Sequence, residues 1–151
     1  MAVVNVYDDA WSDGTERDGY RSRERSLREE LGARRIGATV YELEPGSRIC
    51  PYHWHVAEEE WLLVLDGDVA VRTPEGERPL ARGDVLVFRR GPDGAHHVRN
   101  SGAAPARVLM LSNRAEVEIC VYPDSGKIGA SGGGVRLLNR PEANLDYWDG
   151  E

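Results

Sequence analysis

The chain has 151 residues, of which 40% are hydrophobic and 30% charged, a composition typical of a globular protein with a real core. Its formal net charge of −7 argues against binding to nucleic acid or anionic lipid, because both need a clustered basic surface. Two cysteines are too few for a disulfide framework, and no apolar run approaches the ~20 residues that span a bilayer. Since the amino terminus also lacks a secretory signal pattern, we expect a cytoplasmic protein with no membrane partner.

The first 35 residues are polar and mixed in charge, and we interpret them as an N-terminal extension. Within them, "SLREELG" (26–32) predicts a short helix. Ser26 and Glu29 have the spacing of a capping box, and Gly32 stands where a helix would end.

Residues 36–122 consist of short apolar, β-branched runs separated by turn signals. Turns at intervals of about 8–12 residues predict an all-β sandwich or barrel. The segments "WLLVL" and "VAVRT", joined by "DGD", predict a β-hairpin with its turn at Asp66 and Gly67. Several of these strands are apolar on both faces, which suits strands that are covered on both sides.

Residues 123–151 form a C-terminal extension in this interpretation. Pro141 is placed to start a helical turn, and Leu145, Tyr147 and Trp148 follow it. We expect these apolar side chains to pack on the barrel or on a second subunit. Together with the strands that are apolar on both faces, they predict a homodimer.

All four histidines fall in two short segments, His53 with His55 and His96 with His97. On a strand, His53 and His55 would share one face with Cα atoms ~6.5–7 Å apart. Two imidazoles at that spacing can converge on one cation at ~2.0–2.1 Å each. The pattern alone leaves two interpretations open, a metal site or an acidic loop that contains two histidines.

The second histidine segment, "GDVLVFRRGPDGAHHVRN" (83–100), predicts strand, turn and strand. His96 and His97 are adjacent, so only one of them can point inward. His97 shares a face with Arg99, the residue most in need of solvent. This favours His96 as the inward residue.

Both segments resemble the conserved motifs of a known family. The stretch "PGSRICPYHWHVAEEEWLLVLDG" (45–67) resembles the first cupin motif, in which a glycine is followed by HxH, a glutamate and a second glycine. Residues 83–100 resemble the second motif, with GD, a proline-glycine turn, a histidine and an asparagine. The resemblance covers roughly residues 36–122, and it departs from the pattern in one place: six residues rather than five separate Gly46 from His53.

The resemblance implies a double-stranded β-helix, the jelly-roll barrel of cupins, with one divalent metal ion inside. Carried over by position, the implied ligands are His53, His55, Glu60 and His96. Six residues separate Glu60 from Gly67, as the motif requires, and the spacing to Asn100 likewise selects His96. Three imidazoles and one carboxylate suit Mn, Fe, Ni, Zn or Co, and the sequence does not choose among them.

The position of Glu60 carries a structural prediction of its own. Glu60 lies five residues beyond His55, an odd offset, so an unbroken strand would turn it away from the histidines. We therefore expect a bend within residues 56–58. Glu58 and Glu59 are then expected at the surface or in a supporting position.

The resemblance implies a protein that binds or acts on a small organic molecule, without naming a reaction or a catalytic residue. An enzyme of the dioxygenase or sugar-phosphate isomerase type and a non-catalytic ligand sensor both remain open. A metal-independent cupin is disfavoured, because the ligand set would then have no reason to be intact. Weaker candidates for a pocket, a redox role or a phosphate contact are Tyr41, Arg48, Cys50, Tyr52, Arg89, Ser125 and Lys127.

Overall fold

Antiparallel β-strands make up most of the structure, a computed structural model that describes residues 1–142 and 144–150. The strands are β1 (Asp13–Arg17), β2 (Tyr20–Ser26), β3 (Ile36–Leu43), β4 (Trp54–His55), β5 (Glu60–Asp66), β6 (Val69–Thr73), β7 (Gly76–Leu80), β8 (Val85–Phe88), β9 (His97–Asn100), β10 (Ala106–Asn113), β11 (Val117–Tyr122), β12 (Lys127–Gly132) and β13 (Val135–Asn139). Helix α1 (Leu27–Leu31) and a 3₁₀ turn at Pro92–Gly94 complete the regular elements, and no described helix could cross a bilayer. The predicted all-β fold is confirmed.

The strands form three antiparallel sheets. A six-stranded sheet has the order β1-β2-β3-β10-β5-β8, a four-stranded sheet the order β13-β12-β11-β4, and a three-stranded sheet the order β7-β6-β9. Successive strands often belong to different sheets, so the chain repeatedly crosses from one wall of the barrel to another.

The predicted hairpin between "WLLVL" and "VAVRT" is wrong. Strand β5 pairs with β10 and β8, whereas β6 pairs with β7 and β9. Gly67 does take a positive φ of 82°, but the turn passes against β10: a Cβ on Gly67 would lie 2.8 Å from Ala106. The connection therefore carries the chain from one sheet to another. The residues of the turn do not determine which strands β5 and β6 pair with.

Strand β5 is apolar on both faces because each face packs in a different apolar cluster. Leu62 and Val64 point into the barrel, where they pack with a core cluster that includes Val71 and Val98. Leu63 and Leu65 point outward into a second cluster. The outer cluster is covered by the N-terminal region, through Val4, Val6, Trp11 and Leu27. The outer face of β5 thus has a partner within the same chain at Leu63 and Leu65, whereas Trp61, on the same face, is 47% exposed.

The N-terminal region contributes strands that its polar sequence does not predict. β2 pairs with β3 along five residues, and β1 pairs with β2. Arg25 of β2 is only 3% exposed, and its guanidinium donates to both carboxylate oxygens of Glu30, at 2.7 and 2.8 Å. A paired, buried arginine allows a polar strand to pack under the N-terminal segment.

The predicted helix at residues 26–32 is confirmed as α1. Ser26 is its N-cap, and its hydroxyl accepts from the Glu29 backbone N–H at 3.4 Å. Gly32 ends the helix in the left-handed conformation at φ 64°, which glycine adopts without a steric penalty.

The C-terminal extension begins with β12 and β13, which continue the sheet from β11. Beyond them, Leu145, Tyr147 and Trp148 are 76%, 84% and 71% exposed. They do not pack on the barrel of their own chain, so packing on a second subunit stays a prediction. The helical turn expected at Pro141 is absent from residues 141–142 and 144–146, and residue 143 lies outside the described part.

Asn100 joins three parts of the barrel through its side-chain amide. It is fully buried, and its Nδ2 donates to the carbonyls of Leu43 at 2.9 Å and Ala104 at 2.8 Å. Its Oδ1 accepts from the Gly102 N–H at 2.9 Å. The asparagine that closes the second motif is therefore structural: it holds the loop after β9 against the end of β3.

We predict that Asn100→Ala lowers the free energy of unfolding by about 2–4 kcal/mol, because the carbonyls of Leu43 and Ala104 and the Gly102 N–H lose a buried partner. Urea denaturation followed by circular dichroism measures the change. Asn139→Ala is the matched control, since Asn139 is exposed and its side-chain Oδ1 accepts from the adjacent Arg140 N–H. An effect of Asn100→Ala no larger than that of the control would contradict this role.

Candidate metal centre

The histidines and Glu60 come together where the three sheets meet. His55 belongs to β4 of the four-stranded sheet, Glu60 opens β5 of the six-stranded sheet, and His96 directly precedes β9 of the three-stranded sheet. His53 and His96 form an isolated β-bridge in which each backbone N–H donates to the other's carbonyl, at 3.1 and 2.8 Å. This bridge joins the two histidine segments that are separated in sequence.

One carboxylate oxygen, Glu60 Oε2, lies among three imidazole nitrogens. Its distances to Nε2 of His96, His55 and His53 are 3.1, 3.2 and 3.9 Å. The Nε2 atoms of His53 and His55 are 3.0 Å apart. Adjacent ligands of an octahedral ion at ~2.1 Å lie about 3.0 Å from each other, so these donors are spaced for one divalent cation.

Backbone carbonyls fix two of the imidazole rings. The Nδ1 of His53 lies 2.9 Å from the Pro51 carbonyl, and the Nδ1 of His96 lies 3.0 Å from the Gly94 carbonyl. A carbonyl can only accept, so Nδ1–H donates and Nε2 keeps its lone pair for a metal. Phe88 stacks on His96 at a centroid distance of 3.7 Å and an interplanar angle of 7°, which further restricts that ring.

Gly94 is required by the turn that delivers His96. A Cβ at this position would lie 1.6 Å from the Arg89 carbonyl oxygen, so no other residue fits without moving the backbone. The same glycine supplies the carbonyl that orients His96. The proline-glycine turn of the second motif therefore both reverses the chain and sets the tautomer of a proposed ligand.

The predicted bend between His55 and Glu60 is confirmed at residues 56–57. The carboxylate of Glu118, on β11, accepts from the Val56 N–H at 2.9 Å and from the Ala57 N–H at 3.2 Å. The Val56 N–H also donates to the Ile119 carbonyl at 2.9 Å, so the Glu118 carboxylate adds to the strand pairing at Val56 and supplies a partner for the Ala57 N–H. Glu118 is only 8% exposed, and the sequence reasoning gave it no role.

The bend separates the three consecutive glutamates by function. After it, Glu60 shares the inward face of β5 with Leu62 and Val64, as strand alternation requires. Glu59 is exposed, whereas Glu58 is 7% exposed and accepts from the Ala115 N–H at 3.0 Å. Glu58 thus has the supporting position that the sequence left open.

His55 differs from the other two histidines on its Nδ1 side. Its Nδ1 lies 3.7 Å from Glu118 Oε1, too far for a hydrogen bond, and has no such partner among the described residues. Ligand atoms of His53, His55 and Cys120 also lie within 4.8 Å of one another. Cys120 is therefore a donor near the centre that the sequence reasoning missed.

Burial and mutual interactions shift the protonation of these groups. Burial lowers the pKa of His53 to about 4, and the imidazoles of His96 and His55 add to this effect. Burial also opposes the charged form of His55, but Cys120 and Glu60 outweigh it and raise the pKa to about 10. Burial raises the pKa of Glu60, but interactions with His55 and His96 hold it well below its usual range. Glu60 is thus a carboxylate, the form that binds metal.

One further observation indicates that these donors suit a metal ion. Glu60 Oε2 is buried, and no donor in residues 1–142 and 144–150 is aligned to form a hydrogen bond with it. A buried carboxylate oxygen without such a bond is costly unless a cation compensates it. A divalent ion between Glu60 and the three Nε2 atoms would supply that compensation.

The four donors line a cavity of about 380 Å³. Tyr41, a predicted pocket residue, lines it, together with residues that the sequence reasoning missed: Glu24, Met110, Cys120 and Tyr122. Alternation along β11 places Glu118, Cys120 and Tyr122 on one face, a signal visible in the sequence. Which face meets the site is decided by the pairing of Cys120 with His55, which is not visible there.

The other predicted pocket residues lie elsewhere. Arg48 and Tyr52 line a neighbouring cavity. Ile49 and Cys50 line both this cavity and the cavity of the metal centre. Arg89 is exposed and lines neither of these two cavities, because the turn before Gly94 directs it outward. His97 lies in the neighbouring cavity, on the opposite side of its strand from the metal centre.

Known proteins share both the sequence motifs and the fold. Residues 39–112 match the family model of the cupin domain. The tetracenomycin polyketide synthase protein TcmJ of Streptomyces glaucescens is 33% identical over 90 residues, which cover 56% of this chain and 58% of that protein. The chain thus matches little more than half the length of this curated relative.

Solved structures extend the match to most of the chain. A candidate sugar phosphate isomerase of Acidithiobacillus ferrooxidans is 28% identical, with a TM-score of 0.76 over 81% of this chain and 78% of that one. A sugar phosphate isomerase from a cupin superfamily of Silicibacter pomeroyi is 23% identical, with a TM-score of 0.80 over 93% and 95%. With both motifs in place on this barrel, the chain belongs to the cupin superfamily.

Proposed function

We propose that the chain binds one divalent metal ion through Nε2 of His53, His55 and His96 and a carboxylate oxygen of Glu60. The observation that carries this proposal is the buried Glu60 Oε2, which has three imidazole nitrogens at 3.1–3.9 Å and, in the part of the chain that the structure describes, no aligned hydrogen-bond donor. The ligand set accepts Mn, Fe, Ni, Zn or Co.

We further propose that this centre binds and transforms a small organic molecule in the 380 Å³ cavity. A divalent ion held there would supply Lewis-acid chemistry at a ligand oxygen. Burial raises the pKa of Tyr41 and of Tyr122, so both phenols stay protonated. Each can donate a hydrogen bond to an oxygen of the bound molecule, and Met110 and Val98 give the cavity an apolar side.

The relatives suggest the class of molecule. One is named as a polyketide synthase protein and two as sugar phosphate isomerases. Polyketides and sugar phosphates both carry carbonyl oxygens close to other oxygen functions, which is the chemistry that a Lewis acid activates. An isomerase or cyclase reaction on such a molecule is therefore the function we favour.

Cys50 has no redox or nucleophilic part in this proposal. Burial raises the pKa of its thiol far above the usual range, and the charge of Glu60 adds to the effect. The thiolate is the reactive form of cysteine, so this shift disfavours Cys50 as a nucleophile. Its Sγ lies 3.5 Å from His53 Nδ1 and serves as packing beside a proposed ligand.

A dioxygenase-type reaction and a non-catalytic ligand sensor are the alternatives. Oxygen uptake with candidate diols or diketones would identify the first. Tight binding of a small molecule without turnover would identify the second. The expected homodimer and cytoplasmic location stay predictions.

We predict that the purified protein, made in medium replete in iron and manganese, holds one divalent transition metal ion per chain. Elemental analysis by mass spectrometry measures it. His96→Ala should remove most of the metal, because His96 is 2% exposed and its Nε2 faces Glu60. His97→Ala is the matched control and should keep the metal, since His97 lines the neighbouring cavity.

Two outcomes would contradict the assignment of these histidines. A parent protein without stoichiometric Mn, Fe, Ni, Zn or Co would remove the central claim. Metal loss on His97→Ala with retention on His96→Ala would reverse the orientation of the two residues.

The adjacent glutamates provide a second test of the ligand set. We predict that Glu60→Gln weakens metal binding by more than the roughly 10–100-fold that loss of a ligand's supporting residue costs. Glu59→Gln removes the same charge one residue away, from an exposed side chain, and should leave the affinity unchanged. Competition titration with a chromophoric chelator measures both. Equal affinities for the two variants would exclude Glu60 as a ligand.

A further inference from the structure

A second cavity, of about 580 Å³, adjoins the metal-centre cavity and shares Ile49 and Cys50 with it as lining residues. Four cationic side chains line this second cavity, Arg17, Arg48, Arg72 and Lys127, against one carboxylate, that of Asp124. The chain as a whole carries a net charge of −7, so this is a local reversal of sign. Such a cavity favours an anionic ligand.

The N-terminal hairpin holds Arg48 in place. The Arg48 backbone N–H donates to the Gly19 carbonyl at 3.0 Å, in the turn between β1 and β2. Gly19 has a positive φ of 75°, and a Cβ there would lie 3.0 Å from the Arg48 guanidinium. The turn therefore leaves room for the guanidinium beside it, and the region treated as an extension forms a wall of the cavity.

The cations of the cavity fall into two groups. Arg72 forms a bidentate pair with Asp124, at 2.6 and 2.9 Å, and lies 4.0 Å over the Tyr52 ring. In residues 1–142 and 144–150, no carboxylate lies within 4.0 Å of the cationic groups of Arg17, Arg48 or Lys127. Arg48 and Lys127 are also half-buried, so two partly desolvated cations lack a counter-charge.

Ser125 adds a neutral donor to the same cavity. It lies in the turn between β11 and β12, and its Oγ is buried without a hydrogen-bond partner among the described residues. Lys127 follows two residues later. The segment "YPDSGK", a weak phosphate motif in the sequence, thus reaches Arg17 and Arg48 through the fold.

We propose that this cavity is a second ligand site, which binds the phosphate group of a small phosphate monoester through Arg17, Arg48, Lys127 and Ser125. A phosphate dianion matches three cations and a hydroxyl better than a carboxylate does, because it has more charge and more acceptor oxygens. The 580 Å³ volume leaves room for an organic part beside the phosphate group. The site uses none of the proposed metal ligands.

Isothermal titration calorimetry with glycerol 3-phosphate tests this site, with glycerol and acetate as comparison ligands. We expect glycerol 3-phosphate to bind and both comparison ligands to bind at least about tenfold more weakly. Arg48→Gln and Lys127→Gln should each weaken binding of glycerol 3-phosphate by about tenfold. Arg82→Gln is the control: it removes the same charge from an exposed turn outside the cavity and should change nothing.

His96→Ala separates this site from the metal centre, since phosphate also binds metal ions. We expect this variant to lose metal but to keep its affinity for glycerol 3-phosphate. Binding that is lost together with the metal would overturn the phosphate site and leave the metal centre intact. Absence of binding at millimolar concentrations, or unchanged affinity in both Arg48→Gln and Lys127→Gln, would overturn it as well.

Discussion

The buried carboxylate of Glu60 is the group on which the rest of the site depends. An ionised oxygen that is removed from water must be compensated by cations or by well-aligned donors. Glu60 Oε2 has no aligned hydrogen-bond donor among the described residues, although three Nε2 atoms lie within 3.9 Å of it. A cation bound by Glu60 and the three imidazoles would compensate the charge of the buried carboxylate. It would also account for the close approach of the three Nε2 atoms to Glu60 Oε2.

The barrel brings these groups together through backbone interactions and the carboxylate of Glu118. The His53–His96 bridge joins two sheets, and the bend at residues 56–57 is held by the Glu118 carboxylate. Gly94 allows the tight turn before His96 and orients its ring. Together, the bridge, the bend and the turn place four ligand atoms around one point.

The N-terminal region contributes more to the core and to the second cavity than its polar composition suggests. Val4, Val6 and Trp11 cover the outer face of the six-stranded sheet, and the β1–β2 turn reaches the cationic cavity. One consequence concerns assembly: Leu63 and Leu65 on the outer face of β5 are covered from within the chain. Exposed apolar residues include Val135, Leu137 and Leu138 on β13 and Trp148 in the tail, and also Trp61 on β5 and Val85 on β8.

Much of this could be predicted from the sequence, where the relevant signals are local. The β-content, helix α1 and the bend after His55 follow from turn spacing, capping residues and strand alternation. What the sequence did not reveal depends on pairing between distant strands. The β5–β6 hairpin failed because both strands find partners in other sheets. Glu118 and Cys120 were missed because their role comes from pairing of β11 with β4, about 65 residues earlier in the chain.

The most direct test of the account is a crystal structure of manganese-loaded protein with anomalous diffraction data. We predict one strong anomalous peak, ~2.0–2.3 Å from Nε2 of His53, His55 and His96 and from an oxygen of Glu60. A peak instead between His55, Glu58 and Glu118, whose ligand atoms also lie within 4.8 Å of one another, would contradict it. Crystals soaked in manganese that show no anomalous peak among these four residues would also contradict it.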